Sequence, residues 1–259
     1  MDISINVFGP TTIRNKDLES DLTGCLPGYV LRILALSADT AVSSGRLING
    51  IYDGVPPKTA PAQLHAHISR LRKALGRHSS LIRTARDGYR LDTDGVHVDV
   101  LEFKRLCLEG AAALRRGDSL RAMHELHAAL NHWDVLDLPD PVGARVDAAL
   151  NQLYMMRISA LESLTDIQLH LGQRSGLSAS LQDVVRANPL DERLRSLLMR
   201  VHYLNGRQDR ALGEFEDIRR VLDDSLGVLP GPELQRVHAQ ILTHDPALLP
   251  SLPPPSLKA

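Results

Sequence analysis

The sequence predicts a mainly α-helical protein in two parts, a short α+β part followed by an all-α part. Three observations carry this prediction. Residues 2–8 (DISINVF) alternate apolar and polar, the period of a half-buried strand. Residues 28–91 then run helix, helix, basic helix and hairpin. From Asp99 onward almost every segment has helical periodicity, and a glycine-centred motif recurs within it.

In the first strand Ile3, Ile5 and Val7 share one side. Ile13 and Leu18 lie in two further short strand candidates. GYVLRILALSA (28–38) predicts a helix that buries Val30, Leu31, Leu34 and Ala38. Ala41-Val42 is extended, and Ser43 or Ser44 caps a second helix with Leu47, Ile48 and Ile51 inward. Pro56-Pro57 stops it. Thr59 is the N-cap candidate of a third helix, with Pro61 in its first turn. There Leu64, Ile68, Leu71 and Leu75 fall at i, i+4, i+7 and i+11, one helical stripe. The opposite face carries Gln63, Ala66, His67, Arg70 and Lys73, flanked by Ser69 and Arg72. Gly76 ends the helix. In LIRTARDGYRL two extended runs flank Asp87-Gly88, a two-residue hairpin signal. Arg83, Arg86 and Arg90 decorate that hairpin, and Tyr89 packs it onto the core.

The all-α part begins with a capping box, Asp99 and Glu102, ahead of Phe103, Leu106 and Leu114. RRGDSLRAMHEL around Gly117 parallels LNGRQDRALGEF around Gly206. Each glycine is followed by Ala at five (Ala122, Ala211) and a large apolar residue at nine (Leu126, Phe215). LHLGQRSGL around Gly172 is a third instance. The Gly172-to-Gly206 interval of 34 residues matches a tetratricopeptide-like helix–turn–helix repeat. Three helix pairs and a closing helix over 231–243 are predicted, the first pair offset by a Pro-rich insert, VLDLPDPVG. Trp133 packs between helices, and Met155, Met156 and Met199 are core fillers. The domains predicted are therefore 1–96, 99–245 and a tail, 246–259, whose five prolines predict mobility.

Composition bounds the function. The 259 residues are 43% hydrophobic and 24% charged, ordinary for a globular protein. No apolar run approaches the roughly 18 residues of a membrane span. Aromatics at 3% disfavour base-stacking surfaces for single strands. Two distant cysteines, Cys25 and Cys107, form no framework, and a reducing cytoplasmic setting is expected. GxxxxGK[ST], GxSxG and HExxH are absent. Eleven histidines invite a metal search. His65 and His67 do not share a helix face, and His124, His127 and His132 lack a completing Cys or carboxylate set. No metal, cofactor or catalytic residue is predicted, and an enzyme is the least favoured class.

Charge is uneven. Residues 1–98 hold 12 Lys/Arg against 9 Asp/Glu, net +3, while the whole chain is −1. Residues 58–90 hold eight cations (Lys58, Arg70, Arg72, Lys73, Arg77, Arg83, Arg86, Arg90) and one anion, Asp87. This is a local polyanion-binding candidate. A helix pair, a basic helix and a cationic hairpin make a winged helix-turn-helix. Its third helix is the right width for the major groove of duplex DNA, and the wing reaches the neighbouring backbone. Arg70, mid-face, is suited to a bidentate bond with guanine. Arg72 and His67 are expected on phosphate. Ser69, Ala66 and Gln63 are expected on base edges or thymine methyls. Lys73 and Arg77 complement the helix dipole first and phosphate second. Arg86 and Arg90 are expected on the backbone or in the minor groove. Arg32 and Ser44, on the first two helices, complete the candidate set.

HISRLRKALG followed by IRTARDGYRL resembles the OmpR-type winged-helix signature. With INVFGPTTI, LINGIYDGVPPKTA and VDVLEFKRL, the ordered set resembles the Streptomyces antibiotic regulatory protein family, from about residue 3 to residue 245. In that family the helical part is a bacterial transcriptional activation domain. The resemblance implies an activator of antibiotic biosynthesis. It would bind direct-repeat promoter DNA as a head-to-tail homodimer and contact RNA polymerase, sigma subunit included. It also implies that Arg70 matches the arginine that reads bases. The alternative reading is a protein-interaction scaffold of tetratricopeptide type without specific DNA binding.

Overall fold

The structure, a computed structural model, describes residues 3–15, 19–52, 55–132 and 144–249, with the backbone alone for 144–148. Leu18, Trp133 and the insert at 135–143 lie outside the described residues. By contacts the chain divides into two compact units. One comprises 1–107 with 128–156, the other 108–127 with 157–259.

In the first unit the strands β1 (Ile3–Asn6), β2 (Thr12–Asn15), β3 (Glu19–Asp21) and, later in the chain, β7 (His97–Val98) form one sheet, ordered β3-β2-β1-β7. Ile5 lies opposite Ile13 across an antiparallel pair and opposite Val98 across a parallel one. All three are buried, so the alternation of the opening residues becomes the inner face of this sheet. The second sheet joins β4 (Val42–Ser43), β6 (Gly88–Leu91) and β5 (Ile82–Ala85), with β6 central.

Three helices fill the unit. The first, α1 (Leu26–Leu36), starts earlier than the sequence predicts and ends before Ala38. Ile33 and Ala35 join Val30, Leu31 and Leu34 in its buried set, while Ala38 is only half-buried in the following turn. For α2 (Ser44–Ile51) the cap is Ser43, whose Oγ accepts from the Arg46 N–H at 3.3 Å. The third, α3 (Ala60–Leu75), packs on α1 and α2. Its Leu64, Ile68, Leu71 and Leu75 are at most 2% exposed. Such burial stabilises by about 2 kcal/mol per side chain before entropy is counted.

The hairpin β5–β6 differs from the expected one by a residue. Ala85 pairs with Gly88, so the turn is Arg86-Asp87, and neither turn residue has a positive φ. Gly88 serves packing instead. A Cβ there would stand 2.0 Å from the Val42 carbonyl oxygen of the neighbouring strand. The Asp-Gly signal marked the hairpin, but close strand approach, not turn geometry, requires the glycine.

Asp99 also departs from its predicted role. It opens α4 (Asp99–Arg115), yet its carboxylate reaches the end of β1. There Oδ2 accepts from the Val7 and Phe8 N–H groups at 2.7 and 2.8 Å, and Oδ1 accepts from the Val100 N–H at 2.7 Å. Glu102, the other half of the expected capping box, pairs with Arg105 at 2.6 Å. Asp99 is 5% exposed. Burial raises its carboxyl pKa, and the three donated N–H bonds pull against that rise.

The remaining helices are α5 (Ser119–His132), α6 (Ala144–His170), α7 (Leu177–Ala187), α8 (Glu192–Leu204), α9 (Gln208–Leu226) and α10 (Pro232–Leu242). Gly117, Gly172 and Gly206 turn successive helices with φ of 76°, 72° and 74°, the left-handed region where a side chain is strained. Ala122 and Ala211, each five residues on, are fully buried, as are Leu126 and Phe215 nearly so. The 34-residue spacing thus corresponds to a repeated helix–turn–helix. Around α8–α10 the core gathers Met199, Phe215, Ile218, Leu222, Leu234, Val237 and Ile241. Leu248 joins it from a single turn of 3-10 helix, Pro246–Leu248. Within the predicted tail Leu248 is therefore packed, while Pro246, Ala247 and Leu249 are exposed. Met155 is 48% exposed and fills no core. Leu153, on the other side of α6, and Ile158, one turn on, are buried.

Asp99→Ala leaves the Val7 and Phe8 N–H groups buried without an acceptor, a loss of about 2–5 kcal/mol. Urea unfolding should show it, and Asp99→Asn should recover part of the loss.

Candidate nucleic-acid interface

At 100° per residue, burying the aliphatic stripe fixes which side of α3 meets solvent. Gln63, Ala66, Ser69, Arg70 and Lys73 are exposed, as is Arg77 just beyond the helix. Arg70, Lys73 and the wing-tip Arg86, also exposed, have no hydrogen-bond or ion-pair partner among the described residues. The structure therefore brings one uncommitted cation on the wing and two on the helix into the same unit. Arg77 donates to His78 Nε2 at 3.1 Å.

Other predicted contacts are occupied elsewhere. Arg32 is 4% exposed. Its guanidinium donates to the Gly9 carbonyl at 3.2 Å and to Thr11 Oγ1 at 3.0 Å, fastening the β1–β2 loop to α1. Burial lowers its pKa, while Tyr29 and Asp99 oppose that. It cannot reach a duplex from there. His67 is 7% exposed with neither ring nitrogen bonded. It lies about 60° around the helix from Leu64, on the flank of the apolar stripe and not on the solvent face. Burial, then the charge of Arg70, depresses its pKa, so it is neutral near pH 7.

Arg72 ties the helix to the wing. Its Nε and Nη2 donate to the Ile82 carbonyl at 3.1 and 2.8 Å, and Nη2 also donates to Thr84 Oγ1 at 3.0 Å. Its guanidinium lies 6.0 Å from the Tyr89 ring centre. Beside it, His65 Nδ1 is bonded to the Tyr89 hydroxyl at 2.7 Å. This edge of α3 is joined to the hairpin, and the half-buried Arg72 is engaged there within the fold. Ser44 is half-buried, and its N–H is donated to the Asp87 carbonyl at 2.7 Å. Arg90 and Arg83 both pair with Asp92, at 2.6 and 2.5 Å.

Two residues at this surface, Asp92 and Tyr52, have no place in the sequence-based expectations. Asp92 holds two of the wing arginines. Tyr52, the residue after α2, donates its hydroxyl hydrogen to Gln63 Oε1. Gln63 Nε2 in turn donates to Thr59 Oγ1 at 3.2 Å. Thr59 occupies the cap position of α3 but makes no cap bond to the backbone, its hydroxyl being engaged with Gln63 instead. A polar side chain after an amphipathic helix carries no distinctive signal of such a partner.

A winged helix-turn-helix with an uncovered cationic face, followed by tetratricopeptide-like helical pairs, is the architecture of a transcriptional regulator. Comparison with known proteins agrees. Residues 98–242 match the Bacterial transcriptional activator domain, and residues 29–91 match Transcriptional regulatory protein, C terminal. The chain is 35% identical to Transcriptional regulator RedD of Streptomyces coelicolor over 95% of its own length and 72% of that protein. It is 30% identical to Regulatory protein DnrI of Streptomyces peucetius, over 95% of this chain and 94% of that one. Mycobacterium tuberculosis EmbR, solved in complex with a low affinity phosphopeptide, superposes with a TM-score of 0.77 at 27% identity, covering 95% of this chain and 66% of that one. The chain belongs to the Streptomyces antibiotic regulatory protein family of transcriptional regulators. No helix among the described residues is long and apolar enough to cross a membrane.

The depressed pKa of His67 has a pH consequence. The unfolded residue protonates near 6.5 and the folded one below that. Stability is therefore intact above this value and is lost as pH falls through it. His202 in α8, also buried with a lowered pKa, acts in the same direction. Urea midpoints at pH 7.5 and 5.5 should differ less in His67→Leu than in the wild type.

Proposed function

We propose that the chain is a sequence-specific double-stranded DNA-binding activator. It seats α3 in the major groove and lays the wing, led by Arg86, on the adjacent backbone or minor groove. The observation that carries this reading is the stripe Gln63–Ala66–Arg70–Lys73, exposed on the side of α3 turned away from four buried aliphatic residues. Arg70 has no hydrogen-bond or ion-pair partner among the described residues, and its rigid fork suits guanine O6 and N7. Ala66 is suited to a thymine methyl, and Ser69 to either a base or a phosphate.

Residues 1–96 act as the DNA-binding part and 99–245 as the activation part. Two protomers occupy direct-repeat half-sites spaced by one helical turn, and the helical part contacts RNA polymerase. Kinship with antibiotic-pathway regulators supports control of a secondary-metabolite pathway within the cytoplasm. The reading needs no cofactor and no covalent chemistry.

Arg70→Ala should weaken binding to the preferred duplex by about 1–3 kcal/mol and relax selection at one base pair. Arg86→Ala should weaken binding across all sequences. A gel-shift series on matched and scrambled duplexes checks both. Equal affinity of the wild-type chain for every duplex at every salt concentration would instead favour a protein-interaction scaffold.

A further inference from the structure

Gln63 is the one residue of the exposed α3 stripe whose side chain is held at both ends. Tyr52 donates to its Oε1, and its Nε2 donates to Thr59 Oγ1. A glutamine amide has two lone pairs on oxygen and two protons on nitrogen. The two bonds use one of each. They leave one acceptor and one donor on the same amide, and they fix which end is which. Gln63 and Arg70 lie seven residues apart, within about 20° of one line along the helix.

We propose that Gln63, oriented by Tyr52 and Thr59, is the specificity determinant for an adenine in the half-site. This rests on the reading that α3 enters the major groove. Adenine presents an acceptor at N7 and a donor at N6, the complement of the remaining amide donor and acceptor, and glutamine pairs with it in bidentate fashion. A free glutamine rotates its amide and serves either hydrogen-bonding order. The Tyr52–Gln63–Thr59 relay removes that freedom before DNA arrives, so less side-chain entropy is lost on binding.

The geometry also sets a spacing. Seven residues of helix rise about 10.5 Å, against about 3.4 Å per base pair. The adenine read by Gln63 therefore stands about three base pairs from the guanine read by Arg70. Tyr52 is a positioning residue, placed beside the base reader without being one.

The test is selection from a randomised duplex pool by the full chain, run with wild type, Gln63→Ala, Tyr52→Phe and Arg70→Ala, each confirmed folded by its thermal transition. Wild type should select an adenine two to four positions from a guanine. Gln63→Ala should lower the adenine preference about tenfold and leave the guanine preference in place. Tyr52→Phe should broaden the adenine position while leaving affinity for a scrambled duplex unchanged. Arg70→Ala should remove the guanine preference alone. If wild type selects no sequence, the DNA-reading proposal fails and this inference with it. If wild type selects a sequence but Gln63→Ala keeps the same preference at every position, the inference fails while that proposal stands. A Tyr52→Phe chain with sharper adenine selection overturns it as well, because the relay would then be withholding Gln63.

Discussion

The rotational setting of α3 about its own axis governs everything on this unit's surface. Four aliphatic side chains, Leu64, Ile68, Leu71 and Leu75, sink against α1 and α2. Their burial leaves one azimuth for each other residue of the helix. Turning α3 by a single position would move about 100° of surface, hiding Arg70 and exposing leucine. Aliphatic packing in a close-packed interior thus places a polar display that makes no contact with the core itself.

The two edges of that display are treated differently. On one edge Arg72 and His65 are bonded into the wing, so the hairpin and the helix are held in fixed register. On the other edge His67 is buried without a bonded ring nitrogen, a polar group taken into the interior at a cost. Between them lies the line of Gln63 and Arg70. Two further charged residues serve architecture in the same unit: the cation Arg32 fastens a loop, and the anion Asp99 collects three backbone N–H groups where β7 turns into α4. Both depend on partners distant in sequence, Asp99 across 92 residues.

That distance explains what the sequence could reveal. Helical and strand periods located α1, α2, α3 and the hairpin, and the recurring glycine with its small residue five positions on located the helix pairs. These are local signals, because a 3.6-residue or two-residue period is set by neighbours. Asp99 followed by Glu three residues later carries the local signature of a capping box, whereas its distant partners, Val7 and Phe8, lie just beyond β1. The charge of Arg72 suggests a phosphate contact and that of Arg32 a place in the candidate set, but the engagement of either guanidinium with carbonyl acceptors is visible only once those acceptors are in place. His67 was legible in principle. It stands three residues from Leu64 and four from Leu71, and that spacing already assigns it to the inner flank. The exposed set Gln63, Ala66, Ser69, Arg70 and Lys73 was legible because an amphipathic helix has only one outward side.

The pairing of Arg83 and Arg90 with one carboxylate, Asp92, bears on how strongly such a chain responds to ionic strength. With Arg72 and Arg77 also engaged inside the fold, four of the eight cations in 58–90 (Lys58, Arg70, Lys73 and Arg86) have no partner among the described residues. Each neutralised phosphate on a duplex expels about 0.9 of a condensed small cation. With one phosphate for each of the four, the logarithmic dependence of affinity on salt would approach about −3.6 per protomer, not the roughly −7 that a count of basic residues implies. Asp92 thus trims the electrolyte sensitivity of the wing while leaving its tip charged.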